Sequence, residues 1–382
     1  MNKIRAIAYY LPQYHPIPEN DTWWGKGFTE WTNVTKAKPL FAGHKQPHFP
    51  ADLGYYDLRV PEVREQQALL AREAGIEGFC YWHYWFGNGK RLLERPFKEV
   101  LESGKPDFPF CLAWANETWS GIWHGASDHI LMRQEYPGKA DYTKHFYEIL
   151  PAFLDQRYIQ VDSKPLFVLY NPTDLPDIKE FIDLFNDLAI KNGLNGIHIV
   201  ANNNKINSNE WNPSEFGFNG YTISGHNRIM HEDNPFTRIR IGKPFLKRAK
   251  NFARRKIIHY LDLPNGSNDK PIYLYSYEQA MKYFLHENIY KTELYPTVVA
   301  GWDNSPRSGE RALILTGYTP ELFRKHVRQT IDSVNTNTNK IVFIKSWNEW
   351  AEGNYLEPES EYGTRFLDIL RDEIEKYHSI KD

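Results

Sequence analysis

The chain has 382 residues, 41% of them apolar and 15% aromatic, with 12 Trp, 24 Tyr and a formal net charge of −2. That length holds two average domains or one large α/β barrel, and the near-neutral charge argues against a general nucleic-acid binder, whose phosphate contacts need a basic excess. Cys80 and Cys111 are the only cysteines and both sit in apolar runs, so buried thiols are expected in place of a disulfide framework or a Cys-rich metal site.

From the start of the chain, Met1 to Arg5 leads into an apolar segment that soon meets Pro12. It is too short and too polar for a signal sequence or a spanning helix, so a cytoplasmic protein is expected. The glycosylation acceptor patterns at Asn33 and Asn116 are accordingly read as chance. Strand-like runs come next at Ile4–Tyr10, Gly78–Trp82, Phe110–Trp114, Leu166–Tyr170, Ile197–Ala201, Gly220–Ser224, Thr297–Trp302 and Ile341–Ser346. Helical periodicity fills the intervals at Pro61–Ala74, Leu92–Glu102, Asp141–Leu154, Asp177–Asn192, Ser276–Asn288, Pro320–Asn335 and Tyr362–Tyr377. Pro61 and Pro320 suit first-turn positions, and Gly75 and Gly193 suit stops. Eight strands alternating with helices predict a (β/α)8 TIM barrel, a single domain over residues 1–382, with its active site at the carboxyl ends of the strands.

An irregular insertion is expected around residues 204–270. From Arg238 to Lys256 it carries nine Lys or Arg and no acid, while Phe245, Leu246, Ala249, Phe252, Ala253 and Ile257 keep helical spacing. This reads as a basic amphipathic helix. Its basic face is either solvated, with the helix packed on its own domain, or turned to an anionic membrane surface or a lipid-linked glycan.

Polar and aromatic residues cluster at the strand ends. Tyr10, Gln13 and His15 come after the first strand, ahead of a loop with Glu30 and Trp31; Trp82 and His83 end the second; Trp114, Asn116 and Glu117 close the third; Trp302 and Asp303 close the seventh. After the eighth come Trp347, Asn348, Glu349, Trp350 and Glu352, two carboxylates three residues apart between tryptophans. Two acids among indoles suit glycosidic chemistry: one carboxyl handles the leaving oxygen, the other acts on the sugar, and the indoles offer platforms to pyranose faces. Glu117 leaves a second pairing open, with Glu349 across the barrel mouth. His15, His83, His124 and His226 lack metal-ligand spacing, so no metal is expected. No cofactor is expected either, because no Gly-rich phosphate cradle stands after a strand.

The segments Tyr9–His15, Trp23–Trp31, Trp114–Glu117, Trp347–Gly353 and Glu357-Pro358 together resemble the WbsX-type family of cell-surface polysaccharide gene clusters, whose members were first labelled glycosyltransferases. That family is similar in turn to glycoside hydrolase family 99, the endo-α-mannosidases and endo-α-mannanases, mainly through the Glu-Trp-x-Glu segment and the fold. Ala351 stands where those hydrolases often carry a bulkier polar residue. The resemblance implies a retaining reaction without an enzyme nucleophile. Glu349 would act as base on the sugar 2-hydroxyl, which closes a 1,2-anhydro ring, and Glu352 would act as general acid and then base. The remaining clustered residues would bind the glycan. A retaining hydrolase or transglycosylase for an α-linked surface polysaccharide is the leading expectation, ahead of a glycosyltransferase and of a barrel that binds glycan without chemistry.

Overall fold

The computed structural model describes residues 3–121, 126–202, 211–226, 228–230, 239–240, 272–285 and 290–381. Eight apolar segments form the barrel strands: β1 (Arg5–Tyr10), β2 (Ile76–Trp85), β3 (Phe110–Trp114), β4 (Lys164–Leu169), β5 (His198–Asn202), β6 (Gly220–Ile223), β7 (Glu293–Val299) and β8 (Ile341–Lys345). All pair in parallel in the order β1–β8–β7–β6–β5–β4–β3–β2, and β2 returns to β1, so the sheet closes without an edge. Helices Pro61–Glu73, Lys139–Phe153, Ile178–Lys191, Pro320–Ser333 and Arg365–Lys381 supply the outer layer. Proline opens the first and fourth, where its missing N–H costs no intrahelical bond.

Strand period decides which side chains see the barrel interior. On β1, Tyr9 points inward and stacks on Trp82 (4.7 Å, 4°) and on Phe343 (5.2 Å), whereas Tyr10 points outward against Phe79 and Tyr81. On β2, Trp82 and Tyr84 share the inner face, and His83 faces the helical layer.

Three sequence expectations shift. The stretch 204–270 is not one insertion, because β6 lies inside it and completes the barrel. The predicted basic helix at 238–256 lies outside the described residues apart from positions 239 and 240. Those two form a short strand, Ile239–Arg240, antiparallel to Tyr273–Ser276, because the backbone groups of Tyr273 and Leu274 offer them a ladder. Tyr273–Ser276 also pairs in parallel with Leu313–Thr316, giving a small sheet off the barrel. Within the described residues 276–285, the helix expected at Ser276–Asn288 is a four-residue helix, Tyr277–Ala280, continued by a 3-10 turn, Met281–Tyr283. Among the described residues no helix is long and apolar enough to cross a membrane.

Candidate active site

A cleft of about 550 Å³ opens at the carboxyl ends of the strands. Gln13 and Glu30 come to it from the loop after β1, Trp82 and Tyr84 from β2, Glu117 from the β3 loop and Tyr170 from the β4 loop. His226 comes after β6, Trp302 and Arg307 after β7, and Lys345, Glu349 and Glu352 from the end of β8 and the turn beyond it.

The segment after β8 aims its two acids by anchoring the residues between them. Trp347 is fully buried against Phe79, and its backbone N–H donates to the Tyr9 carbonyl at 2.8 Å. The Asn348 side chain accepts from Leu11 N–H (2.7 Å) and donates to the Leu11 carbonyl (3.0 Å), which ties the segment to the end of β1. Trp350 stacks on Tyr355 (3.7 Å, 12°) and donates its indole N–H to Glu357 at 2.6 Å. Glu349 and Glu352 are left facing the cleft. The turn ends at Gly353, whose φ of +57° suits glycine, and a Cβ there would stand 2.8 Å from Asp303 N. That approach lets Asp303 N–H donate to the Glu352 carbonyl at 2.7 Å, joining the β8 turn to the β7 loop.

One guanidinium holds the acids together. Arg307 donates to Glu30 Oε1 and Glu352 Oε1, both at 2.7 Å, and its Nη2 lies 3.8 Å from Glu349 Oε2. Lys345 Nζ stands 3.9 Å from Glu352 Oε2. Three buried carboxyls thus face two cations, and the cluster is neutral when one carboxyl keeps its proton. That proton belongs on Glu352. Burial and the neighbouring Glu349 charge push its carboxyl up to about 7. Burial acts against ionisation of Glu349 too, but Lys345, Arg307, and hydrogen bonds from Glu352 and Trp82 outweigh it and hold Glu349 below the usual carboxylate range. Burial also raises Glu30, against the pull of Arg307. An ionised base thus sits beside a protonated acid, an arrangement suited to concerted proton transfers.

Trp82 donates its indole N–H to Glu349 Oε1 at 2.9 Å while its ring lies on Tyr9. Replacing it with Phe keeps the stack and removes the donor. Loss of that charge-assisted bond is expected to lower kcat roughly tenfold and to raise the pH at which the acid limb of activity falls. A pH–rate profile of W82F checks both.

The model of the family described as glycosyltransferase WbsX matches residues 6–370. The chain belongs to that family. The protein named WxcX from Xanthomonas campestris pv. campestris (strain B100) is 34% identical over 370 residues, 96% of this chain, and its counterpart from strain ATCC 33913 is 35% identical over the same length. This chain spans about half the length of those curated relatives (49%). Among solved structures, the GH99 endo-α-mannosidase from Bacteroides thetaiotaomicron in complex with bis-tris-propane aligns with a TM-score of 0.56 at 12% identity, covering 99% of this chain and 98% of that one. A glycoside hydrolase-like protein aligns with a TM-score of 0.55 at 13% identity, covering 97% and 94%. At those identities the likeness is one of fold.

Within this WbsX-family chain, Gln13, Glu30, Trp82, Glu117, Trp302, Glu349 and Glu352 line the cleft as the sequence led us to expect. The other expected binding residues do not, and alternation or anchoring explains each. Tyr10 lies on the outer face of β1 and donates to Gln67 at 2.7 Å. Trp31 packs on Tyr14, Tyr56 and Trp350 and donates to the Tyr56 carbonyl. His83, outward on β2, meets His145 at 2.8 Å, and Trp114, outward on β3, packs on His145 and Phe181. His15 is buried, its Nδ1 3.1 Å from the Pro12 carbonyl. Asn116 joins the β3 and β4 loops through Asn171. Asp303 lies 2.7 Å from His44 Nε2, accepts from Gln46 at 2.8 Å and accepts from Ser305 N–H at 2.9 Å, fixing the turn that carries Arg307. Trp347, Asn348 and Trp350 anchor the β8 turn in the core. His124 lies outside the described residues.

The buried imidazoles carry a stability consequence. Burial lowers His83 and His326 to about 3 and His198 to about 4, and depresses His145 and His226 strongly. With an unfolded value near 6.5, each stabilises the fold fully above that pH and loses about 1.4 kcal/mol per pH unit below it, until its folded value is reached. Glu352 and Glu357, both raised to about 7, act in the opposite sense but are outnumbered. The melting temperature is therefore expected to fall between pH 6.5 and 5, and calorimetry across that window checks it.

Sequence reasoning assigned no site role to Arg307, Lys345, Tyr84, Tyr170 or the buried Glu357, although Glu357-Pro358 was one of the segments that carried the resemblance. Glu357 accepts from Trp350, Gln67 (2.7 Å) and Tyr56 (2.9 Å), behind the turn after β8. A usable signal existed for Arg307: several acids at a dry barrel mouth demand a cation, and it lies in the loop of the strand next to β8.

Proposed function

We propose that this chain is a retaining glycoside hydrolase or transglycosylase acting on an α-linked bacterial surface polysaccharide, with Glu349 and Glu352 as its catalytic pair. One observation carries the reading: two carboxyls on one turn share a cleft, one held ionised and the other protonated. One guanidinium reaches both, Arg307 standing 2.7 Å from Glu352 Oε1 and 3.8 Å from Glu349 Oε2, so the two acids work side by side at one end of the cleft. A base on the 2-hydroxyl beside an acid on the leaving oxygen suits that closeness.

In the first step Glu349 takes the 2-hydroxyl proton, O2 attacks C1 to close a 1,2-anhydro ring, and the C1–O bond breaks as Glu352 protonates the leaving oxygen. In the second, Glu352 takes a proton from water or an acceptor hydroxyl, whose oxygen attacks C1 as the C1–O2 bond of the anhydro ring breaks. Glu349 then returns its proton to O2. Each step inverts C1, so the configuration is retained. The ring closes only when O2 and the leaving oxygen are trans, which for an α-linkage selects an axial 2-hydroxyl. Arg307 keeps Glu349 ionised, and Trp82 and Trp302 offer aromatic surface to the sugar. The family description favours transfer, and transfer needs no new group here, since a sugar acceptor replaces water in the second step. The test is incubation with the polysaccharide encoded by the chain's own gene neighbourhood, with products read by mass. Released fragments or elongated chains support the reading, and an unaltered polymer under conditions that melt no protein counts against it.

A further inference from the structure

The catalytic arrangement leaves one cation of the cleft unused. Arg307 and Lys345 are committed to Glu30, Glu349 and Glu352. Arg311 ends the 3-10 turn Gly309–Arg311, lines the same cleft half-buried, and has no ion-pair or hydrogen-bond partner among the described residues. A second orphan lies on the same loop. Trp302 is only 7% exposed and lines the cleft, yet its indole N–H has no acceptor among the described residues. A buried indole N–H without a partner costs free energy until a ligand accepts from it. The remaining cleft acid, Glu117, enters from the β3 loop, four strands from β7 and therefore on the opposite rim. Among the described residues, Arg311, on the rim of the β7 loop, is thus the one arginine lining the cleft that makes no ion pair with a carboxylate.

We propose that this rim is a subsite for a negatively charged substituent of the glycan, a uronate carboxylate or a phosphate, which accepts from Arg311 while Trp302 donates to an oxygen of the bound sugar. The inference deepens the reading of the cleft as a glycan site and rests on it. Planar guanidinium forks match both anions, and one such charge-assisted contact is worth about tenfold or more in affinity.

The test is saturation-transfer NMR titration of the intact chain with methyl α-glycosides of the common hexoses, each beside its uronate and its 6-phosphate. The parent is expected to bind at least one anionic congener about tenfold more tightly than its neutral counterpart. In Arg311→Gln that ratio falls to near one, and Arg311→Lys restores part of it. Preference for the uronate alone or the 6-phosphate alone supports the subsite and identifies which anion it takes. Equal affinity for neutral and charged congeners in the parent, or a preference that survives Arg311→Gln, overturns the subsite while leaving the glycan reading intact. Failure of every sugar to bind overturns both.

Discussion

Glu349→Gln and Glu352→Gln should each lower kcat/KM by about 10²- to 10⁴-fold on a glycan substrate, the usual range for a lost general base or acid, but they should differ with leaving group. Protonation of the departing oxygen matters little when that oxygen is already a good leaving group. An aryl glycoside of low phenol pKa should therefore restore much of the first step to Glu352→Gln, whereas Glu349→Gln should stay slow with every leaving group. The pH profile carries a matching sign. The proposed mechanism requires Glu349 ionised and Glu352 protonated, so kcat/KM should fall as pH rises through about 7, the value to which burial and the Glu349 charge lift Glu352, and fall again in acid as Glu349 protonates. The two limbs belong to the pair together. Glu352→Gln should flatten the alkaline limb, and an unchanged alkaline limb in that variant would remove Glu352 from the acid role.

Removing Arg307 should be the most damaging single change away from the two acids. Its guanidinium contacts Glu30, Glu349 and Glu352, and deleting one partner of a buried ion cluster costs on the order of 3–5 kcal/mol, because the remaining charges stay buried and uncompensated. Arg307→Ala is expected to lose about that much stability in denaturant titration. Arg307→Lys retains a charge but not the fork, so it should fold and then report on chemistry. In all three carboxyls Arg307 favours ionisation, so weakening it raises their pKa values and moves the acid limb of the profile to higher pH. A Lys variant with the parental acid limb would contradict the role assigned to Arg307.

The barrel was legible because each strand is a short apolar run bounded by turn residues, and all eight predicted runs overlap the observed strands. Closure of the sheet then follows from eight parallel strands that neighbour one another in chain order. The acid pair was legible for the same reason, since the segment after β8 must open at the barrel mouth. The aromatic residues were harder to assign. A set of polar and aromatic residues at a strand end does not say which parity faces inward, and one step along β1 or β2 exchanges a cleft residue such as Trp82 for a packing residue such as His83. Trp347, Asn348 and Trp350 resembled sugar contacts because they surround the acids in sequence. Their side chains turn into the core, where Phe79, Leu11, Tyr355 and Glu357 hold them. Arg307 was harder to pick out because its loop carries no periodicity: the acids at the barrel mouth demand a cation, but it is the three-dimensional meeting of the loops after β1, β7 and β8 that shows which one answers.

The measurement that tests the central claim most directly is intact-protein mass spectrometry after incubation with a 2-deoxy-2-fluoro glycoside bearing an activated leaving group. Without a 2-hydroxyl, Glu349 has no proton to take and no anhydro ring can close, so the reagent should be turned over by neither step and the protein mass should stay unchanged. A covalent glycosyl adduct mapped to Glu349 or Glu117 would show a carboxylate acting as nucleophile, and the assignment of Glu349 as a base would have to be withdrawn.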